Sequence, residues 1–100
     1  MLVIVWEYKV KPERIEDFEG FYGPDGPWGR LFRGNPGYVS TTLMKDVAGG
    51  GRYMVADRWT SNATYESFKQ ARAAEYRELS ERGARLYAEE TEVGRFDFVE

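Results

Sequence analysis

The chain contains no cysteine and no histidine among its 100 residues. Without thiols there is no disulfide, no thiolate nucleophile and no zinc–thiolate centre. Without imidazole there is no histidine base, no proximal haem histidine and no Ser-His-Asp triad. Any catalysis must rest on carboxylates, Tyr, Lys or Arg, or on reactivity that the substrate brings with it. Long apolar runs are missing too. No stretch approaches the ~20 residues of a membrane span, and Leu2 to Trp6 is too short for the core of a signal peptide, so a cytoplasmic, membrane-free location is expected. Charge of one sign is also scarce: the net charge is -3, with basic residues interleaved among acidic ones, which offers no footprint for nucleic acid.

What is present is aromatic and apolar. Hydrophobic residues make up 42% of the chain, aromatic residues 16% and charged residues 31%, the composition of a folded globular chain. One hundred residues suffice for one core and not for two, so a single domain over 1–100 is expected.

Apolar periodicity supplies the elements. Leu2 to Val10 alternates Leu2, Ile4, Trp6, Tyr8, Val10 against Val3, Val5, Glu7, Lys9, a strand whose first half is apolar on both faces and therefore central. Pro12 suits the first helical position, Glu13, Glu16 and Asp17 suit the positive end of the dipole, and Ile15, Phe18 and Tyr22 carry a first helix to about Tyr22. Gly23-Pro24-Asp25-Gly26-Pro27 breaks it, and a short helical turn from Trp28 to Arg33 follows. Tyr38 to Lys45 and Arg52 to Trp59 read as strands joined through Ala48-Gly49-Gly50-Gly51. Ser61 caps a second helix with apolar positions at Tyr65, Phe68, Tyr76, Leu79 and Leu86, broken near Gln70-Ala71, and Val93 to Val99 forms the last strand.

The order β-α-β-β-α-β is the ferredoxin-like α+β class, an antiparallel sheet with both helices on one face. The other face needs a cover. Strand two offers Val39, Thr41 and Leu43 on one side and Tyr38, Ser40, Thr42 and Met44 on the other, so neither face is plainly polar. A second copy of the same sheet is the simplest cover, and a homodimeric barrel is expected.

The most informative stretch is RYMVADRWTSNATYESF, Arg52 to Phe68, an alternating strand that delivers Trp59 to the mouth of a helix. Together with the opening VIVWEYKVKPERIEDF, the Pro36-Gly37-Tyr38 approach to strand two, Asp57-Arg58-Trp59-Thr60-Ser61, and Val93-Gly94-Arg95-Phe96, it resembles the antibiotic-biosynthesis-monooxygenase-like domains of the dimeric α+β barrel superfamily. The resemblance covers nearly the whole chain. It implies a homodimer and, from the cofactor-free monooxygenases of that family, a cavity lined by Trp59 and Tyr65. Those enzymes also use an Asn four residues before the Trp, where this chain has Val55. The haem-degrading relatives ligate iron with a His ten residues after the Trp, where this chain has Lys69, so no haem is expected.

Four residues are therefore candidates for substrate binding. Trp59 is foremost a core anchor at the strand–helix corner, with ring stacking as its alternative role. Tyr65 needs a partner for its hydroxyl, which a core or a polar pocket would supply. Arg58 would favour an anion. Trp28, with Leu31 and Phe32, either lies over the dimer seam, the favoured reading, or closes a cavity. Asp57, Arg58, Arg95 and Asp97 near the strand ends read first as ion pairs at the rim or across the dimer, and second as a carboxylate base or an Arg for an acidic substrate. The functional expectation is oxidation of an electron-rich aromatic without metal, flavin or other cofactor. The alternative is a non-catalytic module that binds a small ligand or simply dimerises. A cavity of roughly 300 Å³ or more would favour the enzyme.

Overall fold

Strand β1 (Leu2–Val10) lies in the interior of a four-stranded sheet, as its two apolar faces require. The computed structural model describes residues 1–99. β1 pairs antiparallel with β3 (Arg52–Trp59) on one side and with β4 (Tyr87–Asp97) on the other, and β2 (Tyr38–Lys45) pairs with β3 to complete the order β2-β3-β1-β4. The helices are α1 (Ile15–Tyr22), entered through a 3₁₀ turn at Pro12–Arg14, then α2 (Pro27–Phe32), α3 (Asn62–Ala71) and α4 (Ala73–Gly83). This is the ferredoxin-like α+β arrangement.

Local chemistry sets the boundaries. The Ser61 side chain accepts from the Thr64 amide while Thr64 Oγ1 accepts from the Ser61 amide, a reciprocal cap that starts α3 directly after β3. The kink between α3 and α4 falls at Arg72. Gly37 adopts φ +88°, and a Cβ there would sit 2.6 Å from Thr64, so only glycine lets the β2 approach lie against the α3 cap.

The core is aromatic. Tyr8, Phe18, Tyr22, Phe32, Tyr53, Trp59, Tyr65 and Phe68 are all buried with Ile4, Val10, Val55 and Leu79 on the helix side of the sheet. Period-two alternation in β3 turns Tyr53, Val55, Asp57 and Trp59 inward, and Arg52, Met54, Ala56 and Arg58 outward.

Three expectations are corrected. The last strand begins at Tyr87 rather than Val93, because β4 runs through the acidic Glu89 to Glu92 along the sheet edge, and irregularities opposite Val5/Trp6 and Lys9/Val10 interrupt its alternation. A shift of register between Tyr38 and Ser40 turns Tyr38 inward, opposite Trp59, so it shares a side with Thr41 rather than with Ser40. Trp28 and Phe32 do not lie over a seam. They are buried in the chain's own core, against Tyr76 and against Trp59 and Phe68 respectively.

Candidate functional site: a carboxylate in an aromatic cavity

Between the sheet and the helices lies a cavity of about 60 Å³. Its walls come from every layer of the fold: Trp28 and Phe32 on α2, Tyr65 on α3, Tyr76 and Ser80 on α4, and Trp6, Tyr8, Thr41, Val55 and Asp57 on the sheet, with Glu90 at the edge. The volume holds a few waters and is several times below the roughly 300 Å³ expected of a ligand pocket.

Asp57 dominates the electrostatics. Its side chain is 6% exposed, and its Oδ1 accepts a hydrogen bond of 2.8 Å from Thr41 Oγ1, directly across the β2–β3 pairing. Tyr38 lies behind, its hydroxyl 2.9 Å from the same Thr41 oxygen. Among the described residues no Lys or Arg pairs with Asp57. Burial without a cation pushes its pKa up to about 6, and the Thr41 hydrogen bond pulls the other way. The expected rim ion pair is thus overturned: strand parity places Asp57 on the same face as Trp59. That parity was the available signal, and the charge concealed it.

Three tyrosine hydroxyls on the cavity wall are paired. Tyr65 and Tyr76 stand 3.1 Å apart, oxygen to oxygen, and Tyr8 donates to Glu90 Oε2 at 2.7 Å. Desolvation pushes Tyr8 and Tyr65 well above the ordinary phenol range, so both stay protonated at neutral pH. On its outer side the Tyr65 ring carries the Arg95 guanidinium at 5.0 Å, itself held by Glu66 at 2.6 Å and Asn62 at 2.9 Å. Among the described residues, Trp28 Nε1 is buried on this cavity's wall without a hydrogen-bond partner of ordinary geometry.

The four predicted site residues separate. Tyr65 and Trp28 line the cavity. Trp59 does not; it is fully buried, ringed by Phe32, Tyr38, Tyr65 and Phe68 at centroid distances from 5.2 to 5.6 Å. Arg58 lies on the opposite face of the sheet, exposed, with its guanidinium 5.5 Å from the Phe98 ring centroid, because it alternates with Asp57 and Trp59. It cannot reach the cavity of its own chain. Thr41 and Tyr76 join the site unforeseen, and Asp57, read second as a carboxylate base, joins them. Among the described residues no three carboxylates gather to hold a metal ion.

No protein-family model and no curated protein matches this sequence. Solved structures do. One from Nitrosomonas europaea, provisionally named an antibiotic biosynthesis monooxygenase, superposes with a TM-score of 0.77 at 17% identity over 100% of both chains. The chain has the antibiotic biosynthesis monooxygenase fold. SnoaB from Streptomyces nogalater, a cofactor-independent oxygenase solved as its N63A mutant, gives 0.75 at 18% identity over 99% of this chain and 93% of that one. A conserved protein from Methanosarcina mazei gives 0.71 at 14% identity over 95% and 89%. Identities this low carry the course of the backbone and leave the chemistry of the cavity to its own residues.

Proposed function

We propose that the chain works as a homodimeric α+β barrel of the antibiotic-biosynthesis-monooxygenase-like family, taking a small electron-rich aromatic into the Asp57 cavity and oxidising it with O₂ without metal or flavin. The observation that supports this reading is an aromatic-walled space holding one buried carboxylate, on a fold shared with a cofactor-independent oxygenase. In such chemistry the substrate's own anion passes an electron to O₂, and the protein contributes a dry, preorganised surround. For a methylene activated by neighbouring phenols the balance is R₂CH₂ + O₂ → R₂C=O + H₂O. The sheet's outer face supports the dimer reading: Val3, Val5, Met54 and Ala56 are half-buried there and Met44, Phe96 and Phe98 are exposed. An apolar face of that kind is covered by a second copy in a closed two-fold assembly.

The cavity volume supports a second reading, a non-catalytic module that binds a small ligand, because about 60 Å³ admits an aromatic ring only after its walls move. Oxygen-electrode measurements with polyphenols and anthrones separate the two. The oxidation reading expects one O₂ consumed per carbonyl formed; no uptake with any of them leaves the binding module.

A further inference from the structure

We propose that Asp57 is the proton acceptor of this cavity and its selectivity filter, admitting neutral hydroxyl-bearing aromatics (phenols and enols) and rejecting carboxylates and phosphates. The proposal rests on the cavity being a ligand site, as above, and adds the class of ligand and the residue that acts on it.

Its geometry is specific. Thr41 occupies Oδ1 of the carboxylate, and among the described residues nothing donates to Oδ2. Asp57 lines the cavity, so a ligand hydroxyl is the donor that the second oxygen lacks. Trp28 Nε1, on the wall and 9% exposed, makes no hydrogen bond of ordinary geometry among the described residues, with the Tyr22 hydroxyl beside it. Among the described residues the charged groups on the lining are Asp57 and Glu90; Arg95 and Lys69 lie against the Tyr65 and Tyr76 rings, 5.0 to 5.5 Å from their centroids, without lining the space. An anion entering this space would lose its hydration and meet two carboxylates, with the cations of Arg95 and Lys69 held outside it by the tyrosine rings. A neutral phenol loses little and gains a strong, charge-assisted hydrogen bond.

The same contact is productive for chemistry. The ligand O–H bond breaks heterolytically, its proton passes to Asp57 Oδ2, and the electron pair stays on the ligand oxygen. The resulting anion is the species that reduces O₂ in the reading above. Burial lifts the carboxyl to about 6, making it a better proton acceptor than a surface carboxylate while it remains ionised at neutral pH. The titratable groups facing the same space are Tyr8 from β1, Tyr22 from α1, Tyr65 from α3, Tyr76 from α4 and Glu90 from β4, with Tyr38 of β2 behind Thr41. The five tyrosines are pushed upward, chiefly by desolvation, away from the range in which Asp57 titrates.

Phenol and benzoate test the filter, since they share a ring and differ in charge. Calorimetry on the wild-type dimer should find phenol at least about tenfold tighter than benzoate at neutral pH. Asp57→Asn should hold phenol within about threefold and erase at least about tenfold of that preference. In wild type, lowering the pH from about 7.5 to about 5 should tighten benzoate alone, a readout that needs no variant to fold. Where oxygen uptake occurs, its rate should rise with pH through about 6, and Asp57→Asn should lower it by about 10²-fold or more and flatten the profile. An unchanged phenol-to-benzoate ratio in the variant and across pH overturns the assignment, as does a phenol that does not bind at all. Asp57-dependent selectivity without any oxygen uptake upholds the assignment and sinks the oxidation reading. Uptake that survives Asp57→Asn unchanged does the reverse.

Discussion

The two faces of the sheet are built from the same four strands and have opposite fates. On the helix side, Tyr53, Val55 and Trp59 are at most 4% exposed and locked in a mesh of tilted and edge-on aromatic contacts. On the other side, apolar residues of β1, β2 and β4 stay open, with Met44 at 42% and Phe96 at 50%. The inner face satisfies itself within one chain, whereas the outer face is apolar and finds no cover among the described residues. The difference also concerns charge. The inner face carries one desolvated carboxylate, Asp57, and the outer face carries Glu7 and Arg52 paired at 2.7 Å at the solvent edge.

The largest expected effect breaks the outer face alone. Val5→Asp puts a charge at the centre of the proposed dimer seam and should reduce the mass by light scattering from twice 11.6 kDa to the single-chain value, with the far-ultraviolet spectrum intact. An undissociated variant would assign that face to something other than a second copy.

On the inner face, Trp59→Ala should destabilise by about 3–5 kcal/mol in denaturant titrations, the usual cost of truncating a buried aromatic. A variant that melts like wild type would mean the corner closes without its indole.

Asp57 gives the comparison a pH axis. Its carboxyl is raised from 3.8 to about 6 in the folded chain, so the native state binds the proton more tightly than the unfolded state. That contribution is fully present below about pH 4, is lost as the pH rises, and is gone above about 6. Wild-type stability minus that of Asp57→Asn should therefore fall by about 3 kcal/mol across this window, at about 1.4 kcal/mol per pH unit. A flat difference would mean that the carboxylate is solvated in the native state.

Tyr65→Phe removes a single hydroxyl from the Tyr76 pair and should cost about 1 kcal/mol of stability. If the cavity binds as proposed, the variant should also weaken phenol. Smallest of all, Arg58→Ala should leave phenol binding unchanged, because its side chain stands on the far face; a loss there would show that the outer surface reaches the site through the partner.

Much of the architecture was legible because it rests on local rules. Alternation marked β1 and β3, the Ser61 cap marked the start of α3, and the break near Gln70-Ala71 fell within two residues of the kink at Arg72. What escaped were features that local rules do not encode. The run Glu89 to Glu92 is three-quarters glutamate, a residue depleted in strands, and it joins the sheet because β1 offers it a paired edge. Trp28 and Phe32 sit on a helix too short to show a period, so nothing in sequence said which neighbour would bury them. At the cavity, Tyr65 and Trp28 stand on the wall, whereas Arg58 stands on the opposite face of the sheet. Asp57 was read by its charge when its parity with Trp59 was the stronger clue.

The pairing of β1 with β4 places Leu2 opposite Asp97 and Val10 opposite Tyr87. The strand at the middle of the sheet is therefore among the first segments of the chain and must find its partner among the last. Joining segments so distant closes a loop of nearly the whole chain, an entropic cost that precedes most of the aromatic burial it permits. Folding should accordingly be slow for a protein of this length, milliseconds to seconds rather than microseconds. Exchange of the β4 amides should track global unfolding only where they bond to β1, leaving the free edge to exchange from the native state.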